Sequence, residues 1–550
     1  MTRTPLVLLA LVATMPAFAK DRSEIPDKYK WNLSELYRTE ADWAAARDAL
    51  AKKVPDLARF QGKLGASAGS MFEALDAIWK AQLELERLYV YASSRSDEDT
   101  RASGPLEMRQ GAEQLFTDLS SATSWLQPEI LTLDPAKVQG FLKDEKRLAP
   151  WRFFLEDTLR MKPHTLSAQE ERLVAEAGDL SSAGQNAYGL LANADLPWPT
   201  VKLSDGKEVR LDQSAYGLYR QSRNAADREI VFKAFFGALK QYERTIGANL
   251  FATVKAQGFT RKARHYASNL EASLFPNAIP TTVYTQLVAD VRRSLPTLHR
   301  YLELRKRMLG LEKLRYQDIY VPMVASVDLK FEPDQARAIT LAAVAPLGKK
   351  YQEGLAKGFE SGWTDYLPST GKRSGAYSTG VYGVHPYQLL NFNGQYDDLS
   401  TLAHESGHSM HTALAYEAQP YATSGYALFV AEVASTLNEN LLLHHMLGQT
   451  KDDATRLALL GNYLDGARGT LFRQTQFADF ELAMHQKAEK GETLTGENLS
   501  KLYLDTVRAY YGHDKGVCQV DDLLAIEWAF IPHFHRPFYV YQYSTSFVAS

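Results

Sequence analysis

A helical rhythm that hardly breaks constrains this chain more than any other feature. From about Asp42 to Gly310, segment follows segment with apolar residues three and four apart, as in MFEALDAIWKAQLELERLYVYASS and TTVYTQLVADVRRSLPTLHRYLELRKRMLG. That spacing gathers apolar side chains on one face of an α-helix, so a stack of packed amphipathic helices is expected. At 550 residues the chain exceeds what one core can serve, and two or more lobes follow. WPTVKLSDGKEVRL interrupts the rhythm; Asp205-Gly206 between alternating stretches predicts a hairpin and a boundary near residue 200. Residues 369–398 turn rich in Gly, Ser and Tyr, with YQLLNFN a short strand candidate.

The first residues differ from the rest. Arg3, an apolar run from Leu6 to Val12 and the small-x-small triplet Ala17-Phe18-Ala19 form a secretory leader over residues 1–19, with cleavage expected after Ala19. A periplasmic or secreted protein is therefore expected. No later stretch is apolar for the eighteen or so residues a membrane span needs, so no stable membrane association is expected after cleavage. Cys518 stands alone, which excludes an internal disulfide, a redox pair and a cysteine-rich zinc cluster. The formal net charge of −3, without a basic stripe, speaks against nucleic acid as a partner.

TLAHESGHSMH, residues 401–411, carries the chemistry. On a helix started by Asp397, Asp398 or Ser400, His404 and His408 are neighbours four apart and converge on one ion, with Glu405 beside them. Imidazole nitrogens suit zinc. The His-Glu-x-x-His pattern would arise by chance in about one chain of this size in fifty, so a third ligand is needed to decide the matter. Glu432, embedded in LFVAEVAS, supplies one: a carboxylate among apolar residues calls for a cation. Glu417 continues the first helix too far from His408 to reach the same ion. Glu439, two turns beyond Glu432, is placed to orient a ligating histidine instead. His411, His444 and His445 read as packing or surface residues.

HESGHSMH and FVAEVASTLNE, preceded by GKRSGAYSTGVYGVHPYQLLNFNG and followed by IPHFHRPFYVYQYSTS, resemble the oligoendopeptidase F branch of the thimet-oligopeptidase-like zinc metallopeptidases. RYLELRKRMLGLEKLRYQDIYVP and the hairpin near residue 200 agree with that branch too. The resemblance implies a mainly α fold: two helical lobes flanking a deep substrate channel, with a small β-sheet near the metal. The expected organisation is a leader over 1–19, an N-terminal helical domain over 20–200 and a zinc metallopeptidase domain over 201–550. Relatives run on beyond SFVAS, where this sequence stops inside a helix, so helices supporting the channel wall are expected to be lacking.

The implied activity is hydrolysis of internal peptide bonds in short, unfolded peptides. One zinc per chain would be held by His404, His408 and Glu432, with Glu405 as general base toward a zinc-activated water. By similarity, His533 and one or two of Tyr539, Tyr541 and Tyr543 stabilise the oxyanion; Tyr539 and Tyr543, four apart, are the preferred pair if the segment is helical. Gly375, Tyr377 and Tyr541 are the expected substrate contacts, with the strand in YQLLNFN offering its edge to an extended peptide. HFHRPFYVY lacks the glycines of the thimet branch, and His535 stands where an aromatic hydroxyl is common. Two other readings fit the same residues: a peptide-binding protein of this fold without turnover, and an exported carboxydipeptidase.

Overall fold

The computed structural model describes residues 20–324 and 329–550. The expected leader, residues 1–19, lies outside the described residues. The described residues are mainly α-helical, with two small sheets among them. The frame includes helices α1 (Ala68–Glu98), α2 (Ser103–Thr123), α3 (Glu243–Ala263) and α4 (Thr281–Met308). The site and its supports lie on α5 (Tyr396–Ala418), α6 (Leu428–Gln449), α7 (Asp453–Ala467), α8 (Gln474–Glu489), α9 (Gly496–Tyr511) and α10 (Tyr541–Ala549). Both long periodic segments of the sequence are single helices, α1 and α4, and α4 continues through Pro296.

The predicted hairpin forms as β1 (Thr200–Lys202) and β2 (Glu208–Arg210), with Gly206 at φ +88° where a side chain would be strained. A second sheet combines β3 (Thr364–Asp365), β4 (Tyr377–Thr379) and β5 (Tyr387–Leu389) in the order β3–β5–β4. YQL is thus a strand, but a central one: β3 pairs with it in parallel and β4 antiparallel. The expected open edge is therefore not on β5. It belongs to β4, one strand further out.

Three apolar cores hold these elements. One gathers Trp31 to Leu155 and takes in Val381, Tyr387 and Leu389 from the second sheet. Another runs from Tyr188 to Tyr541. A smaller one buries Leu399, Leu402, Ala403 and Met410 of α5 against Leu442, Leu443 and Met446 of α6, fixing the backs of both helices. The segment before α1 ties the first core to the second sheet. Arg22 pairs with Glu98 at 3.1 Å and with buried Asp365 at 2.5 Å. The amide of Asn32 donates to the Gly362 carbonyl, that of Tyr366 to Tyr29, and that of Thr370 to Lys20. A cavity of about 850 Å³ opens between the early helices, at Trp79 and Phe154, and residues 260–276, at Arg264 and Tyr266. Among the described residues no helix is long and apolar enough to cross a membrane.

Candidate metal centre

Helix α5 begins one residue before the aspartates read as its caps. Gln395 is the N-cap, and Asp398, in the first turn, accepts from the amides of Gln395 (2.9 Å) and Asn393 (3.0 Å). From that start the helix runs without proline through His404, Glu405 and His408. Helix α6 returns beside it. The approach is so close that a Cβ on Gly407 would lie 2.5 Å from the Ala434 carbonyl oxygen and 2.7 Å from Ser435 Cα. Asn438 locks the pair, donating to the Ala403 carbonyl at 3.0 Å while its own oxygen accepts from Tyr351.

This packing brings three predicted residues together. His404 Nε2 lies 3.3 Å and His408 Nε2 3.4 Å from the same oxygen of Glu432, and all three candidate donor atoms fall within 4.8 Å of one another. Donors about 2.0–2.1 Å from a tetrahedral zinc stand about 3.3–3.4 Å apart, so these residues fit that ion. Electrostatics agree. Burial alone would depress His404, but hydrogen bonds to Glu432 and Glu439 push it up to about 10. Glu432 is held well below the usual carboxylate range by hydrogen bonds from His404 and His408. The site draws in positive charge. Glu439 takes His404 Nδ1 at 3.0 Å, leaving Nε2 to face inward, and Ser435 donates to the Glu432 carboxylate at 2.8 Å.

Glu432 is not, however, in a core. Its side chain is 28% exposed, and its neighbours Leu428 and Val430 are open. The apolar start of α6 is open at these residues instead of filling an interior. Glu405 is the buried carboxylate: 6% exposed, one oxygen without a partner, and its pKa raised by burial despite the nearby histidines. Glu417 points away and pairs with Lys350 on the surface. His411 stacks on Tyr426, His444 is exposed and His445 half-buried.

Tyr539 and Tyr543 come together, though not on one helix. Helix α10 starts only at Tyr541, so Tyr539 precedes it, yet the Tyr539 and Tyr543 hydroxyls lie 3.0 Å apart. The turn at Phe538, φ +50°, sets Tyr539 there, and the Phe538 amide is held by Glu481 at 2.7 Å. His533 stacks parallel to Tyr539 at 5.8 Å. Burial raises the Tyr543 hydroxyl, with its hydrogen bond to Tyr539 and the Glu432 charge adding to the rise. Tyr541 departs from the expected substrate contact. It is 2% exposed, packed beside Tyr284 and Phe429 in the core, because the first turn of α10 directs it inward.

Gly375 sits in an exposed turn at φ +84°, its carbonyl accepting from Asn391, and the Tyr377 hydroxyl donates to buried Asp97 at 2.7 Å. Strand β4, which follows this turn, lies against α5 through Ser378 and Ser409, 2.8 Å apart. Sequence reasoning missed Gly407, Ser435, Asn438, Ser409 and Glu481. Gly407 alone left a signal, as a glycine inside a helix where alanine is more stable.

The family model described as Peptidase family M3 matches residues 218–550, and one described as Oligopeptidase F matches residues 129–197. Oligopeptidase PepF of Bacillus subtilis is 38% identical over 530 residues, covering 96% of this chain and 79% of that protein. Group B oligopeptidase PepB of Streptococcus agalactiae is 37% identical, covering 96% of this chain and 88% of that one. Among solved structures, oligoendopeptidase-F from Enterococcus faecium superposes with a TM-score of 0.68 at 33% identity, covering 92% of this chain and 86% of that one.

Proposed function

Because this chain belongs to the oligoendopeptidase F branch of peptidase family M3 and is a metallo-oligopeptidase, we propose that it is a zinc endopeptidase cutting internal bonds of short, unfolded peptides. The observation that carries the reading is the meeting of His404 Nε2, His408 Nε2 and one Glu432 oxygen at tetrahedral edge lengths. These three residues would hold one zinc ion per chain. Bound there, zinc supplies a Lewis acid that acidifies water and polarises the scissile carbonyl.

The remaining work falls to the chain. Glu405, buried and with one oxygen unpartnered, accepts the proton of the attacking water and returns it to the leaving amine. Its raised pKa favours that exchange, since the group holds a proton readily once it has one. Glu439 keeps the His404 ring turned inward. Tyr543 donates toward the developing oxyanion while its own oxygen accepts from Tyr539, with His533 backing Tyr539. The outer edge of β4 receives the peptide backbone, which gives loose sequence preference, and Gly375 leaves room at its start.

The test is cleavage of a quenched fluorescent peptide of about eight to ten residues, blocked at both ends, by the wild type and by Glu405→Gln. General-base removal is expected to lower kcat by about 10²–10⁴-fold while zinc content stays near one per chain. Retention of full activity by Glu405→Gln would remove it as the base, and failure to cut the blocked peptide would favour a carboxydipeptidase. Export is part of the proposal, supported by the residue pattern of positions 1–19. Amino-terminal sequencing of the protein from cells is expected to begin at Lys20.

A further inference from the structure

Behind α10 lies a concentration of positive charge that the peptidase reaction does not use. Arg468 opens a π-helical turn (Arg468–Arg473) between α7 and α8 and is 6% exposed; Arg473 closes it and is 9% exposed. Arg305 of α4 is fully buried beside them. The Arg220 guanidinium lies 3.8 Å from the Tyr320 ring centre, and the Arg468 guanidinium 5.0 Å from it. Among the described residues, two carboxylates stand against these four cations. Asp465 serves both Arg305 (2.9 Å) and Arg468 (3.4 Å), and Glu527 pairs with Arg473 (2.7 Å). Nearby Asp318 is already taken by Arg228. Among the described residues two positive charges are left in excess, and for the buried arginines desolvation makes an unbalanced charge costly.

The donors are also unsatisfied. Arg468 Nη1, Arg220 Nε and the hydroxyl of Tyr511, itself 1% exposed, are buried atoms with no hydrogen-bond partner among the described residues. Tyr511 and Arg468 are electrostatic neighbours, and both adjoin Tyr320. Burial alone would raise the Tyr320 hydroxyl, yet Arg473 and Arg220 pull it below the ordinary tyrosine range, a sign of how positive the locus is. Native interiors rarely leave such donors unpaired without an ion or water to meet them.

We infer that Arg220, Arg468 and Tyr511 bind a small monovalent anion of the halide class, chloride in the cell, at a site behind the tyrosine helix. One negative charge removes half of the excess, and the three side chains with orphaned donors all adjoin Tyr320. The site also bears on the reaction. Ser544 of α10 donates to the Thr470 and Leu471 carbonyls of the π-helical turn, at 3.1 and 3.2 Å, and accepts from Thr475 at 3.0 Å. An anion that steadies Arg468 thereby steadies the turn on which α10, with Tyr543, is seated. This second step rests on the role given to Tyr543 above; binding itself does not.

The experiment uses the full-length, metal-loaded protein in gluconate buffer, with chloride replacing gluconate at constant ionic strength. A saturable rise in Tm with chloride is expected, accompanied by a rise in kcat on the blocked peptide. Arg220→Gln, at the partly exposed rim, is expected to move the chloride midpoint at least tenfold upward while leaving zinc content and the chloride-free Tm near wild type. A bromide soak is expected to place an anomalous peak against Arg468 Nη1. A Tm that does not respond to chloride, or a midpoint unchanged in Arg220→Gln, overturns the inference. So does a tyrosinate band near 295 nm at neutral pH that Tyr320→Phe abolishes, because Tyr320 would then supply the missing charge. A response to acetate without one to chloride overturns the halide assignment. The Tm arm can be read in Glu405→Gln, so loss of peptidase activity and loss of anion binding remain distinguishable.

Discussion

Glu439 stands outside the cluster of His404, His408 and Glu432, yet it orients the His404 ring. Replacing it with glutamine leaves His404 Nδ1 a weaker partner, and metal affinity is expected to fall about 10–100-fold. Zinc transfer to a chromophoric chelator measures that loss directly. Tyr543→Phe removes a donor on the far side of the carbonyl, so kcat on the blocked peptide is expected to drop about 10²–10³-fold with zinc content and KM little changed. A KM increase at constant kcat would assign Tyr543 to ground-state binding instead. His404, Glu405 and His408 were legible in the sequence because four residues on a helix are a local relation. Glu432 was reached through its apolar neighbours, but Leu428 and Val430 among them are exposed, so the buried environment read from the sequence is not the one the fold provides. Tyr539 and Tyr543 meet although no helix joins them. The left-handed Phe538, held by Glu481 from fifty-seven residues away, had no counterpart in the local pattern.

Between elements, the decisive fact is how near α6 lies to α5. Gly407→Ala adds a methyl group where backbone already stands, so the helices must part. Such overpacking costs about 1–3 kcal/mol, and here it also draws Glu432 away from the histidines. The expected outcome is a lower Tm together with zinc lost on dialysis, although every ligand is present. Unchanged zinc retention would mean that α6 tilts without moving Glu432. That a helix ran through HESGH, and that a second helix carried Glu432, was legible from period and proline positions. The separation of the two axes was not, since one glycine in a helix records a close approach without naming what approaches. The second sheet teaches the same lesson. YQLLNFN was read as a strand, of which YQL forms one, but its central place depends on Thr364–Asp365, a two-residue strand too short to leave a pattern.

Across the whole molecule, buried titratable groups set the pH range of stability. His485 and His535 are pushed down by burial to about 3 and about 4, from an ordinary 6.5. As pH falls below 6.5 the unfolded chain takes up protons that the folded chain refuses, so their contribution to stability declines toward those values. Glu481 acts in the opposite sense. Burial pushes it up to about 8 from 4.5, so the stability it gives below 4.5 is lost as pH rises toward 8. These three groups together place the optimum at about pH 6.5. Urea midpoints between pH 4.5 and 8 measure it, and Glu481→Gln is expected to flatten the decline on the alkaline side. The mainly helical architecture was evident from periodicity, whereas the three cores depend on contacts between distant stretches. Of these, the first core has a consequence for the order of events at the ribosome. Its early helices end near Leu155, but Val381, Tyr387 and Leu389 complete it, and the Lys20–Asn32 segment is pinned by residues 362–370. At about 5–20 residues per second, those partners emerge roughly ten to fifty seconds after Leu155. Throughout that interval the beginning of the chain lacks the sheet that closes its core, so the portion translated first is among the last to become folded.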